Sequence, residues 1–196
     1  MANVSRKMGF RPVKHLSGAP YNGQVNLYEI GVGDGAATFV GDLVKMSDEA
    51  ATGTVPTAER YGTSGEVTSG AILGAIVGFV IAPTDLNTPQ YRAASTLRYA
   101  LVADSPDLIF EVEDGATVAT PVASINLNCG VQATAGSTTT GVSNMTTGNT
   151  AATTTNTLPL RIVGIVNSPD NTGGALYQKL LVKINVHAFA DSVAGV

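Results

Sequence analysis

Few residues in this chain could do covalent or metal chemistry. His15 and His187 are the only histidines and Cys129 is the only cysteine among 196 residues. General-base catalysis needs such a group beside a nucleophile, with a third group to orient it. His15 lies in a basic N-terminal segment. His187 follows Asn185 on one face of an alternating run, which reads as a hydrogen-bonded or interfacial position. The chain has no Gly-x-Ser-x-Gly elbow, and no HExxH, CxxC or paired-histidine spacing that would suit zinc. Gly31-Val-Gly33-Asp-Gly35-Ala36 fits a loose G-x-G-x-x-A. A dinucleotide fingerprint needs a strand before it and a helix after it. Here FVGDLV follows and reads as another strand, so a hairpin turn is expected. Asp170 and Asn171 in NSPDNTGG, and Glu111, Glu113 and Asp114, offer oxygen ligands. Neither group has the ligand count or 12-residue spacing of a calcium loop. Cys129 has no partner in the chain and nothing to activate it, so it is read as a small buried apolar residue. No enzyme activity, cofactor or metal is expected.

The elements available to position any site are strands. Apolar and β-branched runs recur at 24–30, 39–46, 75–81, 96–103, 108–112, 124–128, 160–166 and 180–189, bounded by Gly, Pro, Asn and Asp. In LVKINVHAF, Leu181, Lys183, Asn185 and His187 alternate with Val182, Ile184, Val186 and Ala188, as in a half-buried strand. Turn signals stand at GVGDG, DSPD, EDG and NSPDNTGG. Short helices are conceivable only at 58–61 and 91–94. The expected fold class is all-β: one compact barrel or sandwich of about eight short strands with an extended N-terminal arm.

Charge divides the chain unevenly. Arg6, Lys7, Arg11 and Lys14 precede the first acid, Glu29, which leaves seven basic and fifteen acidic side chains in the remainder. A basic arm over 1–22 and an acidic β domain over 23–196 are therefore expected. Charged residues make up only 13% of the chain, about half the usual ~25%, and 44% are hydrophobic. That composition excludes a mostly disordered chain and lacks the basicity of a nucleic-acid binder. The run AILGAIVGFVIA at 71–82 is too short and too glycine-rich for a membrane span. MANVSRKMGF has no apolar core of a signal peptide, so a soluble protein made in a reducing cytoplasm is expected. No charged side chain occurs between Asp114 and Arg161. The Thr/Gly/Ala-rich part of this stretch, 130–158, reads as a long insertion, either a flexible surface loop or one that orders itself against a neighbouring subunit.

The order of several blocks carries a resemblance. MGFRPVKHLSGAPYNGQVNLYEI, FVGDLVKM, GAILGAIVGFVIAP, YALVADSPDLIFEVEDG, LPLRIVGIVNSPDN and LLVKINVHAF, taken in sequence, resemble the head decoration or cement proteins of tailed bacteriophages. The resemblance implies a β-rich structural protein on the outer surface of the head. It would be made in the host cytoplasm and bound to the major capsid protein. Self-association, with a trimer favoured, and stabilisation of the shell are implied too, with the arm lying along the capsid. Local physics supplies the expected contacts: Arg6, Lys7, Arg11 and Lys14 for charge, and Phe10, Pro12 and Val13 for apolar anchoring. Val142, Met145, Leu158, Asn185 and His187 are expected at the oligomer interface. Deleting 1–16 is expected to spare the fold. The alternative class is another phage or extracellular structural module, such as a tail tube, fibre or adhesin part. A ligand-binding β-barrel or enzyme stands behind both.

Overall fold

A computed structural model describes residues 3–81, 86–117 and 119–190. Residues 1 and 2 of the expected arm, Ala82 of the apolar run, and 191–196 lie outside the described residues. In chain order the strands are β1 (Arg11–His15), β2 (Asn26–Ile30), β3 (Leu43–Met46), β4 (Ala58–Arg60), β5 (Gly65–Val67), β6 (Gly74–Phe79) and β7 (Arg98–Ala103). They continue as β8 (Leu108–Glu113), β9 (Asn128–Cys129), β10 (Val131–Ala133), β11 (Thr146–Thr147), β12 (Leu160–Ile165) and β13 (Lys179–Ile184). The fold is all-β and sandwich-like rather than a closed barrel. One five-stranded sheet runs β1-β8-β13-β12-β9, the other β2-β7-β6-β3-β4, and β11-β10-β5 form a small third sheet. All strand pairings are antiparallel.

The main core lies where the three sheets meet. Phe110, Val112, Leu180, Val182, Leu160 and Ile162 come from the first sheet, Val131 and Ala133 from the third, and Leu43, Ala75 and Ala103 from the second. Their alternation along β8, β12 and β13 follows from the period-2 placement of side chains on a strand. A second cluster, with Tyr28, Ile30, Val44, Ile76, Ala100 and Val102, lies on the opposite face of the second sheet.

Five expectations are corrected here. The N-terminal segment is not a free arm, because β1 pairs with β8 and Phe10 is 1% exposed in the main core. Deleting 1–16 would therefore remove an edge strand and a core aromatic. The 58–61 segment is strand β4, not a helix, because Ala58 and Arg60 face inward while Glu59 pairs with Lys45 across β3. The 91–94 segment is irregular, not helical, with a single bridge from Arg92 to Thr38, and Arg92 is fully buried: its guanidinium donates to the carbonyls of Thr96, Ala36, Gly31 and Asp34. That clamp fixes the turn at 31–36, which does not connect a hairpin, since β2 pairs with β7 and β3 pairs with β4 and β6. Finally, 130–158 is no appended insertion. It supplies β10 and β11, and Met145 is fully buried in the main core.

Candidate docking face

The basic N-terminal residues are fixed from two sides. The Phe10 N–H donates to the Gly41 carbonyl at 2.8 Å. Gly9 and Gly41 both have positive φ, and a Cβ on Gly9 would collide with the Gly41 carbonyl and with Ser143. Only glycine lets the two backbones approach so closely. Earlier in the segment, Ser5 Oγ donates to Glu113 Oε1 at 2.8 Å, the Arg6 N–H donates to Glu113, and Asn3 exchanges hydrogen bonds with Thr172. Beyond β1, a tight turn brings Pro20 beside Lys14, and the Tyr21 N–H donates to the Val13 carbonyl. That turn covers part of the free edge of β1, and Pro12 within the strand also discourages further pairing.

Strand register then assembles the cations. Lys14 lies opposite Ile109, Ile109 opposite Lys183, Lys183 opposite Arg161, and Arg161 opposite Asn128. One row across the outer face of the first sheet therefore reads Lys14, Ile109, Lys183, Arg161, Asn128, at the usual ~4.8 Å strand spacing. The next row reads Arg11, Glu111, Leu181, and the one after pairs Glu113 with Lys179. Arg6 and Lys179 border the same clefts. Arg6, Arg11, Lys14, Arg161, Lys179 and Lys183 thus edge or cross one sheet face, with Lys7 exposed beside Arg6. Ile109, between Lys14 and Lys183 in this row, is 2% exposed, so the cations rather than the isoleucine reach solvent.

The acids on this face are Glu111, Glu113 and, at its border, Asp170. Arg11 Nη2 meets Glu111 Oε2 at 2.7 Å. Glu113 is engaged by Ser5 and the Arg6 backbone. The Asp170 carboxyl is held below its usual range by a hydrogen bond from Ser168, with Lys179 adding to the effect. The other four cations of the chain are occupied elsewhere. Lys45 pairs with Glu59, Arg60 with Asp42 and Arg92 with Asp34, while Arg98 stacks over Phe79.

Of the expected docking residues, Arg6, Lys7, Arg11 and Lys14 are exposed, and Pro12 and Val13 are half-buried. Phe10 cannot anchor a partner, because this chain's own core takes it. Lys179, Lys183 and Arg161 were not expected. The alternation of β13 placed Lys183 on the face of Leu181, but only the cross-strand register sets it beside Lys14 and Arg161.

The expected interface residues do not form one patch of side chains. Asn185 Nδ2 donates to the Asn156 and Leu158 carbonyls, and Val142 forms a bridge with Val40. Met145 and His187 are buried, which corrects the expectation that they face a neighbour. His187 Nδ1 accepts the Phe189 N–H at 3.0 Å, so the neutral ring carries its proton on Nε2. Burial holds its pKa below the ordinary histidine value, against the opposing pull of nearby Asp104. Burial pushes the Cys129 thiol up to about 12, so the thiolate it would need as a nucleophile is scarce. Among the described residues no group of three His, Cys, Asp or Glu is placed to hold a metal, and no helix is long and apolar enough to cross a membrane. Compared with known proteins, the chain matches no family model, no curated protein and no solved structure.

Proposed function

We propose that this chain is a structural virion protein that binds the outer surface of a phage capsid and stabilises the shell. The observation that carries the reading is the pre-ordered basic edge. Arg11 and Lys14 stand on a strand already paired to β8 and locked at Gly9 and Gly41. A segment fixed before docking loses little conformational entropy when it docks. The order of sequence blocks that resembles head decoration proteins supports the same reading, and the major capsid protein is the partner it implies.

Self-association, with a trimer favoured, belongs to this proposal. Val80, Ile81 and Leu97 are exposed and line one cleft past the end of β6 and before the start of β7. Clustered apolar exposure of this kind marks an association surface.

The test adds purified protein to phage heads that lack it, with the protein's solution mass measured in parallel. Saturable binding to heads, higher resistance of the heads to heat and an oligomeric mass are expected. Absence of binding to heads would overturn the proposal, and assembly of the isolated protein into long tubes would replace it with a tail-tube role.

A further inference from the structure

We propose that the docking face is the band of solvent-reaching cations on the outer face of the first five-stranded sheet, and that the partner it fits is an acidic protein surface. This deepens the reading of the chain as a docking protein and rests on it. The new residues are Arg161 and Lys183, with Lys179 beside them, none of which belongs to the N-terminal segment.

The first argument is that the fold arranges these charges at a cost. Lys183 and Arg161 are directly opposed across β12 and β13. Like charges in that position destabilise a sheet. Among the described residues neither one, nor Lys14 in the same row, forms an ion pair; Arg161 is steadied only by a hydrogen bond from its Nε to Asn128 Oδ1 at 3.1 Å. A row of unneutralised cations on a protein with a formal charge of −4 is a local inversion of the molecule's field. An anionic partner relieves that repulsion.

The second argument selects the class of anion. The face is mixed rather than uniformly basic. Leu181 lies between the cations, and Glu111 and Glu113 stand in its middle rows. Both carboxylates are buried and already engaged, Glu111 by Arg11 and Glu113 by Ser5 and the Arg6 N–H, so the case against a phosphate backbone rests on the net-acidic chain, which would oppose its approach at long range. The outward residues of β8 and β13 are Ile109, Glu111, Glu113, Lys179, Leu181 and Lys183, none of them aromatic; exposed Tyr177 stands at the border cleft with Arg6 and Lys179, a single ring rather than a series on which successive bases could stack. A protein surface with carboxylates set among apolar residues complements the same face row by row.

The experiment measures binding of the full chain to immobilised poly-L-glutamate and, separately, to double-stranded DNA of matched charge. The variants are Arg161→Glu/Lys183→Glu, the milder Arg161→Gln/Lys183→Gln, and Lys45→Glu as a control on the other sheet. Thermal transitions identify which variants remain folded; the glutamine pair keeps the test decisive if the glutamate pair does not fold. The parent should bind polyglutamate at low salt and release as salt rises. The glutamate pair should bind about tenfold more weakly, the glutamine pair less so, and Lys45→Glu should match the parent. Failure of the parent to bind, equal binding by the folded Arg161/Lys183 variants, or tighter binding to DNA than to polyglutamate would each overturn the inference. Polyglutamate binding without head binding would leave the face standing and remove the capsid. Head binding that is indifferent to Arg161 and Lys183 would do the reverse.

Discussion

The basic segment 3–22 and the uncharged stretch 115–160 meet in the same core and show opposite characters to water. Each sends large side chains inward, Phe10 from the first and Met145 beside Val131 and Leu160 from the second, all buried in the main cluster. They touch at Gly9 and Ser143. The basic segment stays at an edge, with its charged groups outward on β1. The uncharged stretch passes through the interior, and its hydroxyls find partners there. Ser143 Oγ donates to Asp42 Oδ1 at 2.5 Å, Thr147 Oγ1 to Asp114 Oδ1 at 3.1 Å, and Thr146 Oγ1 to the Thr147 carbonyl at 3.1 Å. A hydroxyl is satisfied by one or two hydrogen bonds, whereas a buried lysine needs a counter-charge and a network. Low charge in 115–160 is thus what lets a polar sequence line a core, and charge in 3–22 is what keeps a core-anchored strand on the rim.

The largest effects should come from the inward side chains Phe10 and Met145. Phe10→Ala should cost about 3–5 kcal/mol and Met145→Ala about 2–5 kcal/mol, read from denaturant midpoints at constant slope. The two segments touch, so the double variant should depart from additivity. A loss under about 1 kcal/mol for Phe10→Ala would break the comparison, because the N-terminal segment would then be the dispensable arm its sequence suggests.

Ser143→Ala should come next, at about 1–3 kcal/mol, because it leaves the fully buried Asp42 short of a donor. Asp42 also accepts from Arg60 Nε at 2.9 Å and from the Phe39 N–H at 3.0 Å. If the packing account is right, Ser143→Thr, which keeps the hydroxyl but crowds Gly9, should fail to rescue. Full rescue by threonine would show that the Gly9 contact has slack.

A pH series adds a smaller effect that belongs to neither segment. His187 has a lowered pKa in the folded state, so below the ordinary value near 6.5 the unfolded chain binds the extra proton first. Its contribution is fully present above about pH 6.5 and is lost as pH falls toward the folded value. His187→Gln should flatten this part of the profile, while Phe10→Ala and Met145→Ala should shift the whole curve without changing its shape there. An unchanged slope in His187→Gln would assign the acid sensitivity to carboxylates instead.

Much of this frame was legible in the chain, and what was not has physical causes. The runs that became β2, β3, β6, β7, β8, β12 and β13 carry alternating or β-branched residues, and tertiary packing agrees with that local signal. Strand β1 reads RPVKH, where proline and three basic or titratable residues conceal the pairing. Strand β4 reads AER, which favours a helix in isolation and is overridden by its pairing with β3. Strands β9, β10 and β11 have two or three residues each, too few for any periodicity to show. The proposed docking face was legible only on its N-terminal side. Lys14, Lys183 and Arg161 are far apart in the chain, and register across four strands is a property of the fold rather than of any window of sequence.

The smallest stability effect should come from Arg11→Ala, and it sharpens the comparison most. Arg11 holds Glu111 at 2.7 Å, a bond short enough to look structural. Yet the Arg11 side chain is 57% exposed, against 10% for Glu111, so water screens the cation's side of the pair and the long side chain loses entropy in forming it. Exposed pairs of this kind contribute roughly 0–1 kcal/mol, less at high salt, where the Debye length falls to about 3 Å at 1 M. Arg11→Ala should therefore move the denaturant midpoint little, and less still in 1 M salt. Its effect on docking should be larger than its effect on folding, since removing it exposes Glu111 to an acidic partner and lowers the association rate. Phe10→Ala should show the opposite balance, with large destabilisation and no loss of docking in whatever fraction stays folded. Measuring stability and association for both variants at two salt concentrations decides the matter. If Arg11→Ala destabilises as much as Phe10→Ala, the charge on β1 is holding the strand in place, and the division between an inward anchor and an outward face is wrong.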